Sequence, residues 1–75
     1  MKQLTDSQKI FLRKLIDWFR LLYKTEPQVV LPNGIGIIST NRILTKLYLI
    51  YQYGTYHRND VNMLNAFREF YITHK

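Results

Sequence analysis

The sequence predicts a mainly α-helical domain of three helices, with a short β-hairpin between the first and second. Three observations carry this. Residues 5–24 repeat apolar side chains at helical spacing behind a capping signal, and residues 41–53 and 60–73 do so again, each bounded by turn residues. Between the first two periodic stretches, Pro32-Asn33-Gly34 separates two β-prone runs. At 75 residues without a cysteine, the chain is one small domain with no disulfide or thiolate metal site. A chain of this size buries only about 60–65% of the surface its unfolded form exposes. With 47% hydrophobic and 15% aromatic residues it is far too apolar to be disordered, so its core must come from aliphatic and aromatic packing or from a second chain.

Thr5 followed by Gln8 is the capping-box pattern that opens the first helix. On a wheel of about 100° per residue, Lys9, Arg13, Arg20 and Lys24 fall with Asp17 within about 80° of one another. Ten apolar residues, from Ile10 to Tyr23, cover about 240° of the remainder, interrupted only by Lys14. A surface helix needs an apolar stripe only a little over 100° wide. The first helix is therefore expected to be the central element of the fold or of a homodimer. Leu49, Val61 and Ile72 point away from the main faces of their own helices and strengthen the expectation of a partner, whether a second copy or another protein.

Pro27 and Pro32 break the helical pattern, and Gln28–Leu31 followed by Ile35–Ile38 reads as the hairpin. Ser39 or Thr40 then caps the second helix and Gly54 ends it. Its apolar face is Ile43, Leu44, Leu47, Tyr48, Ile50 and Tyr51, which places Tyr48 and Tyr51 in the core. Residues 55–58 read as a loop, and Asn59 as the cap of a third helix that buries Met63, Leu64, Phe67, Phe70 and Tyr71. The stretch from Leu31 to Leu44 also partly resembles the helix-hairpin-helix DNA-binding motif, since Gly34, Ile35, Gly36, Thr40, Ile43 and Leu44 fit its spacing, with Asn33 as an insertion. That resemblance implies that backbone amides around Gly34–Gly36 hold a phosphate. A Pro-Asn-Gly β-turn is the simpler reading of the same residues.

No grouping of side chains suggests catalysis. His57 and His74 stand apart, the five acidic residues are scattered, and neither metal-ligand spacing nor a nucleophile elbow occurs. No enzyme activity, metal, cofactor or small-molecule substrate is expected, nor a secretory leader or membrane span, and the expected location is the cytoplasm.

Charge is the stronger signal. Eleven Lys and Arg against five Asp and Glu give +6, and no acidic residue occurs between Glu26 and Asp60. Such an excess attracts phosphate polymers. Lys9, Arg13, Arg20, Lys24, Arg42, Lys46 and Arg58 are the candidate phosphate contacts, and Tyr53, Tyr56 and His57 the candidate stacking or interface residues. A helix-turn-helix is a further possibility, with Asn62, Asn65 and Arg68 on its outer face. The expected function is that of a small, basic, non-enzymatic nucleic-acid-binding regulator, with DNA the expected polymer. The alternative is a small viral or mobile-element protein, acting in the host cytoplasm, that modulates a larger host protein through an apolar and aromatic surface. The short, Lys-, Asn-, Ile- and Tyr-rich chain fits that origin.

Overall fold

Residues 1–75 are described by a computed structural model. In chain order the elements are β1 (Lys2–Gln3), α1 (Asp6–Tyr23), β2 (Gln28–Leu31), β3 (Gly36–Ser39), α2 (Thr40–Tyr53), β4 (Thr55–Tyr56), a 3₁₀ turn (Arg58–Asp60) and α3 (Val61–His74). The three helices and the hairpin between the first two are those read from the sequence.

The capping box at Thr5 forms as its residues dictate. The Gln8 N–H donates to Thr5 Oγ1 at 3.1 Å, and the Thr5 N–H donates to Gln8 Oε1 at 2.9 Å. Two otherwise unsatisfied donors of the first turn are thereby paired. Beyond Tyr23 the chain closes with the Glu26 N–H on the Leu22 carbonyl at 2.8 Å, and Pro27 prevents a further turn.

Both ends of the α1–α2 pair are tied, and the two helices run antiparallel. At one end, the Thr40 N–H donates to the Pro27 carbonyl at 2.8 Å and Thr40 Oγ1 donates to the Glu26 carbonyl at 2.6 Å. At the other, the Leu4 N–H donates to the Gly54 carbonyl at 2.8 Å. Thr40 is fully buried, so its hydroxyl belongs to this clamp, while Ser39 occupies the N-cap position of α2 without a side-chain cap bond. Neither residue caps α2 through its side chain. Gly54 does end the helix as expected, at φ +71°, with its N–H on the Ile50 carbonyl.

β2 and β3 pair antiparallel, Val29 opposite Ile38 and Leu31 opposite Gly36. Val29 and Leu31 turn into the core while Val30 faces out, the alternation a half-covered strand requires. In the turn, the Ile35 N–H lies 3.4 Å from the Pro32 carbonyl, and Asn33 and Gly34 both have positive φ, +63° and +77°. That type I′ pattern suits the right-handed twist of a hairpin. A strand, not a helix, precedes Pro32, so the helix-hairpin-helix arrangement is absent.

Residues 55–60 depart from the loop and the Asn59 cap that the sequence suggests. Thr55 and Tyr56 form β4, paired antiparallel with β1, Lys2 opposite Tyr56 and Gln3 opposite Thr55. Two-residue strands carry too little periodicity to stand out in a sequence. The cap position of α3 is Asp60 rather than Asn59. Its carboxylate turns back to the His57 N–H at 3.2 Å and across to Lys46 Nζ at 2.8 Å, which ties the 3₁₀ turn to α2.

The core comprises Leu12, Leu15, Ile16 and Phe19 of α1, Ile43, Leu44, Leu47 and Ile50 of α2, Ala66, Phe67 and Phe70 of α3, and Val29 and Leu31 of β2. Trp18 meets Phe19, Phe70 and Tyr71 edge-on at 5.0, 5.8 and 5.3 Å between ring centres. Such pairs contribute about 0.5–1.5 kcal/mol each beyond the area they bury. α1 packs against both α2 and α3, which makes it the organising helix. Its apolar arc is only partly covered. Phe11, Trp18 and Leu22 are half-buried, whereas Ile10 and Leu21 stay 62% and 65% exposed.

Candidate nucleic-acid interface

Arg42, Lys46, Leu49 and Tyr53 recur along α2 at steps of four, three and four residues, within about 60° of one another on the helix. Leu49 and Tyr53 are exposed, whereas Lys46 between them and Arg42 is partly covered by its contact with Asp60. At its C-terminal end the row borders an open groove of about 460 Å³, lined by Met1, Lys46, Leu49, Ile50, Tyr53, Thr55, Tyr56, His57 and Asp60. Lys46, Tyr53, Tyr56 and His57, drawn from α2, β4 and the residue after it, thus come together at one place.

The aromatic residues sort differently from expectation. Tyr53 is 71% exposed and free to stack. Tyr56 is half-buried and packs against the core, so it is the weaker stacking candidate. Tyr48, expected in the core, is 39% exposed at the edge of the α2 apolar face, while Tyr51 is half-buried as a packing residue. His57 is exposed.

Of the seven candidate cations, two have acidic partners. Arg13 Nε lies 3.5 Å from Asp17 Oδ1, and Lys46 is bound to Asp60. Lys9, Arg20, Lys24, Arg42 and Arg58 form no ion pair. The lysine at position 46 holds the Asp60 carboxyl below its ordinary range through a charged hydrogen bond, aided by the His57 N–H, against a smaller opposing effect of burial. Lys9 runs over the end of α2, its Cε 3.8 Å from where a side chain on Gly54 would begin. A cation there sits at the negative end of the α2 dipole, one residue from Tyr53. Lys9 and Lys24 are 15 residues apart on one face of α1 and its C-cap, about 22 Å. Lys9, Arg20 and Lys24 therefore run lengthwise along one face of α1, while Arg42 stands on α2 and Arg58 in the 3₁₀ turn, and the five do not converge on a pocket. About six phosphates of one strand span the same distance.

On α3, Asn65 is exposed, and Arg68 is exposed with Nη1 3.7 Å from Glu69. Asn62 donates its side-chain amide to the Asn33 carbonyl at 3.4 Å, so it braces the hairpin turn. Between α2 and α3 lie β4 and the 3₁₀ turn, in place of the short turn of a helix-turn-helix.

A second concavity was not legible in the sequence beyond the off-face Val61. An open groove of about 400 Å³ runs between α1 and α3, with Leu4, Phe11, Leu12, Leu15, Tyr56, Val61 and Leu64 as its apolar surface and Gln8, Asn65 and Arg68 among its polar lining. No three His, Cys, Asp or Glu side chains stand close enough to hold a metal ion, and no helix is long and apolar enough to cross a membrane. No protein-family model, curated protein or solved structure matches the chain.

Proposed function

We propose that this chain is a small, basic, non-enzymatic regulator that binds nucleic acid, with DNA the expected polymer, along the α1–α2 surface. The observation that carries the reading is that five of the seven candidate cations, Lys9, Arg20, Lys24, Arg42 and Arg58, have no acidic partner, in a molecule where three of the five acidic residues are already engaged by Arg13, Lys46 and Arg68. Unpaired surface cations exchange condensed counterions for phosphates at little cost. Tyr53 adds an exposed ring on the same helical row as Arg42 and Lys46, the combination that stacks an unpaired base beside its phosphate.

Fluorescence anisotropy with labelled duplex DNA, single-stranded DNA and RNA tests the reading. Replacing Arg20 and Arg42 together by Glu is expected to weaken binding by at least tenfold. Tyr53→Ala is expected to weaken single-strand binding by about tenfold while leaving duplex binding and thermal stability nearly unchanged. Absence of binding to all three polymers at about 50 mM salt rejects the proposal.

The apolar groove between α1 and α3 favours a second reading, in which the chain modulates a larger protein by accepting an amphipathic helix there. Under that reading Leu64→Glu abolishes capture of the partner, whereas reversal of Arg20 and Arg42 has no effect.

A further inference from the structure

α1 leaves four residues in a row on its solvent side: Ile10, Lys14, Asp17 and Leu21. Their spacing of four, three and four is that of a coiled-coil seam, and they lie within about 60° of one another. Lys14 is exposed and free of any ion pair, and the Asp17 side chain is 56% exposed, with only Oδ1 occupied, weakly, by Arg13. The two apolar members are the most exposed large hydrophobic residues of the helix.

The row is symmetric about its own centre. Residues 10 and 21, and residues 14 and 17, are equidistant from the midpoint between Leu15 and Ile16. We propose that α1 pairs with α1 of a second copy of this chain, antiparallel about a two-fold axis through that midpoint. Ile10 of each protomer then packs on Leu21 of the other, and Lys14 of each meets Asp17 of the other. Two apolar layers close the ends of the seam and two opposite-charge layers fill its middle. A parallel arrangement places Lys14 against Lys14 and Asp17 against Asp17, so charge selects the orientation. The seam covers the part of α1 that neither α2 nor α3 reaches. It does not depend on nucleic-acid binding. Its short length, together with Arg13 and Arg20 along one edge of it, makes the dimer weak, with a dissociation constant on the order of 10–100 μM.

Sedimentation equilibrium of the full chain up to about 0.5 mM, without nucleic acid, tests the proposal. The chain is expected to show a reversible monomer–dimer equilibrium. Lys14→Glu sets carboxylate against carboxylate at both middle layers, and Asp17→Lys sets ammonium against ammonium there. Each variant alone is therefore expected to dimerise at least tenfold more weakly. Mixed in equal amounts, the two variants present opposite charges at both middle layers and are expected to form a heterodimer at least as readily as the original chain dimerises. Both positions are exposed, so circular dichroism is expected to show the same helix content in all three chains. A monomer throughout the range overturns the proposal. So does a dimer indifferent to either reversal, or a mixture that fails to associate. Failure of nucleic-acid binding leaves every one of these outcomes readable.

Discussion

The Asp60 carboxylate takes Lys46 on one oxygen at 2.8 Å and the His57 N–H on the other at 3.2 Å, so one side chain joins α2, the 3₁₀ turn and the start of α3. Its folded pKa lies below the unfolded value. The stability it contributes is therefore present above the unfolded pKa, near 4, and is lost as pH falls through the folded one. Lys46 is more than a third exposed, so solvent screening limits the pair to roughly 0.2–1 kcal/mol. Asp60→Asn keeps an acceptor for His57 and removes the charge. Thermal melts are expected to show this variant less stable than the original chain at neutral pH, with the gap shrinking as pH drops below about 4. A gap of constant size from neutral to acid pH contradicts this account. Thr40 acts without charge: its buried hydroxyl and N–H hold the Glu26 and Pro27 carbonyls, where an unsatisfied buried partner costs about 1–3 kcal/mol. Neither role was visible beforehand. An Asn-Asp pair ahead of an apolar run offers two possible caps, and which one turns back depends on Lys46, 14 residues away in sequence.

Elements that depend on neighbours in sequence were readable, and those that depend on distant chain were not. Thr5 and Gln8 close their box within three residues, and Gly54 ends α2 because it alone adopts a left-handed backbone without strain. β1 and β4 escaped notice because each is only two residues long and exists through the other. The hairpin was legible because its turn demands particular residues. Gly34 has φ +77°, and a Cβ built there meets no atom within 4 Å, so a side chain at this site is penalised by backbone conformation alone. Gly34→Ala is accordingly expected to destabilise the domain by about 1 kcal/mol in denaturant titration. Asn33→Gly, at φ +63°, is expected to change stability by under about 0.5 kcal/mol. Equal stability of Gly34→Ala and the original chain contradicts the turn assignment. The breadth of the apolar arc on α1 correctly marked that helix as the organiser, but periodicity could not say which part of the arc the domain would leave bare. Ile10 and Leu21 are bare because α2 and α3 approach from the other side.

Across the whole molecule, 13 buried apolar residues form a small core, and the domain spans 31 × 24 × 20 Å. With so little buried, much of the surface is available for contact. Of the cations behind the excess of +6, Lys24, Arg20 and Lys9 run along α1, Arg42 and Lys46 stand on α2, and Arg58 lies in the 3₁₀ turn. The sequence announced the cations and the acid-free stretch between Glu26 and Asp60. It could not announce that Arg13 and Lys46 would be engaged, or that Lys9 would reach the Tyr53 end of α2, because those relations arise from packing. The central claim is that the unpaired cations bind a phosphate polymer along their length. The most direct measurement is the salt dependence of binding by the unaltered chain to duplex and single-stranded DNA. If four or five phosphates are neutralised, log affinity falls linearly with log salt at a slope of about −3 to −4.5, a loss on the order of a hundredfold between about 50 and 200 mM. A flat salt dependence, or no binding at the lower salt, contradicts the claim.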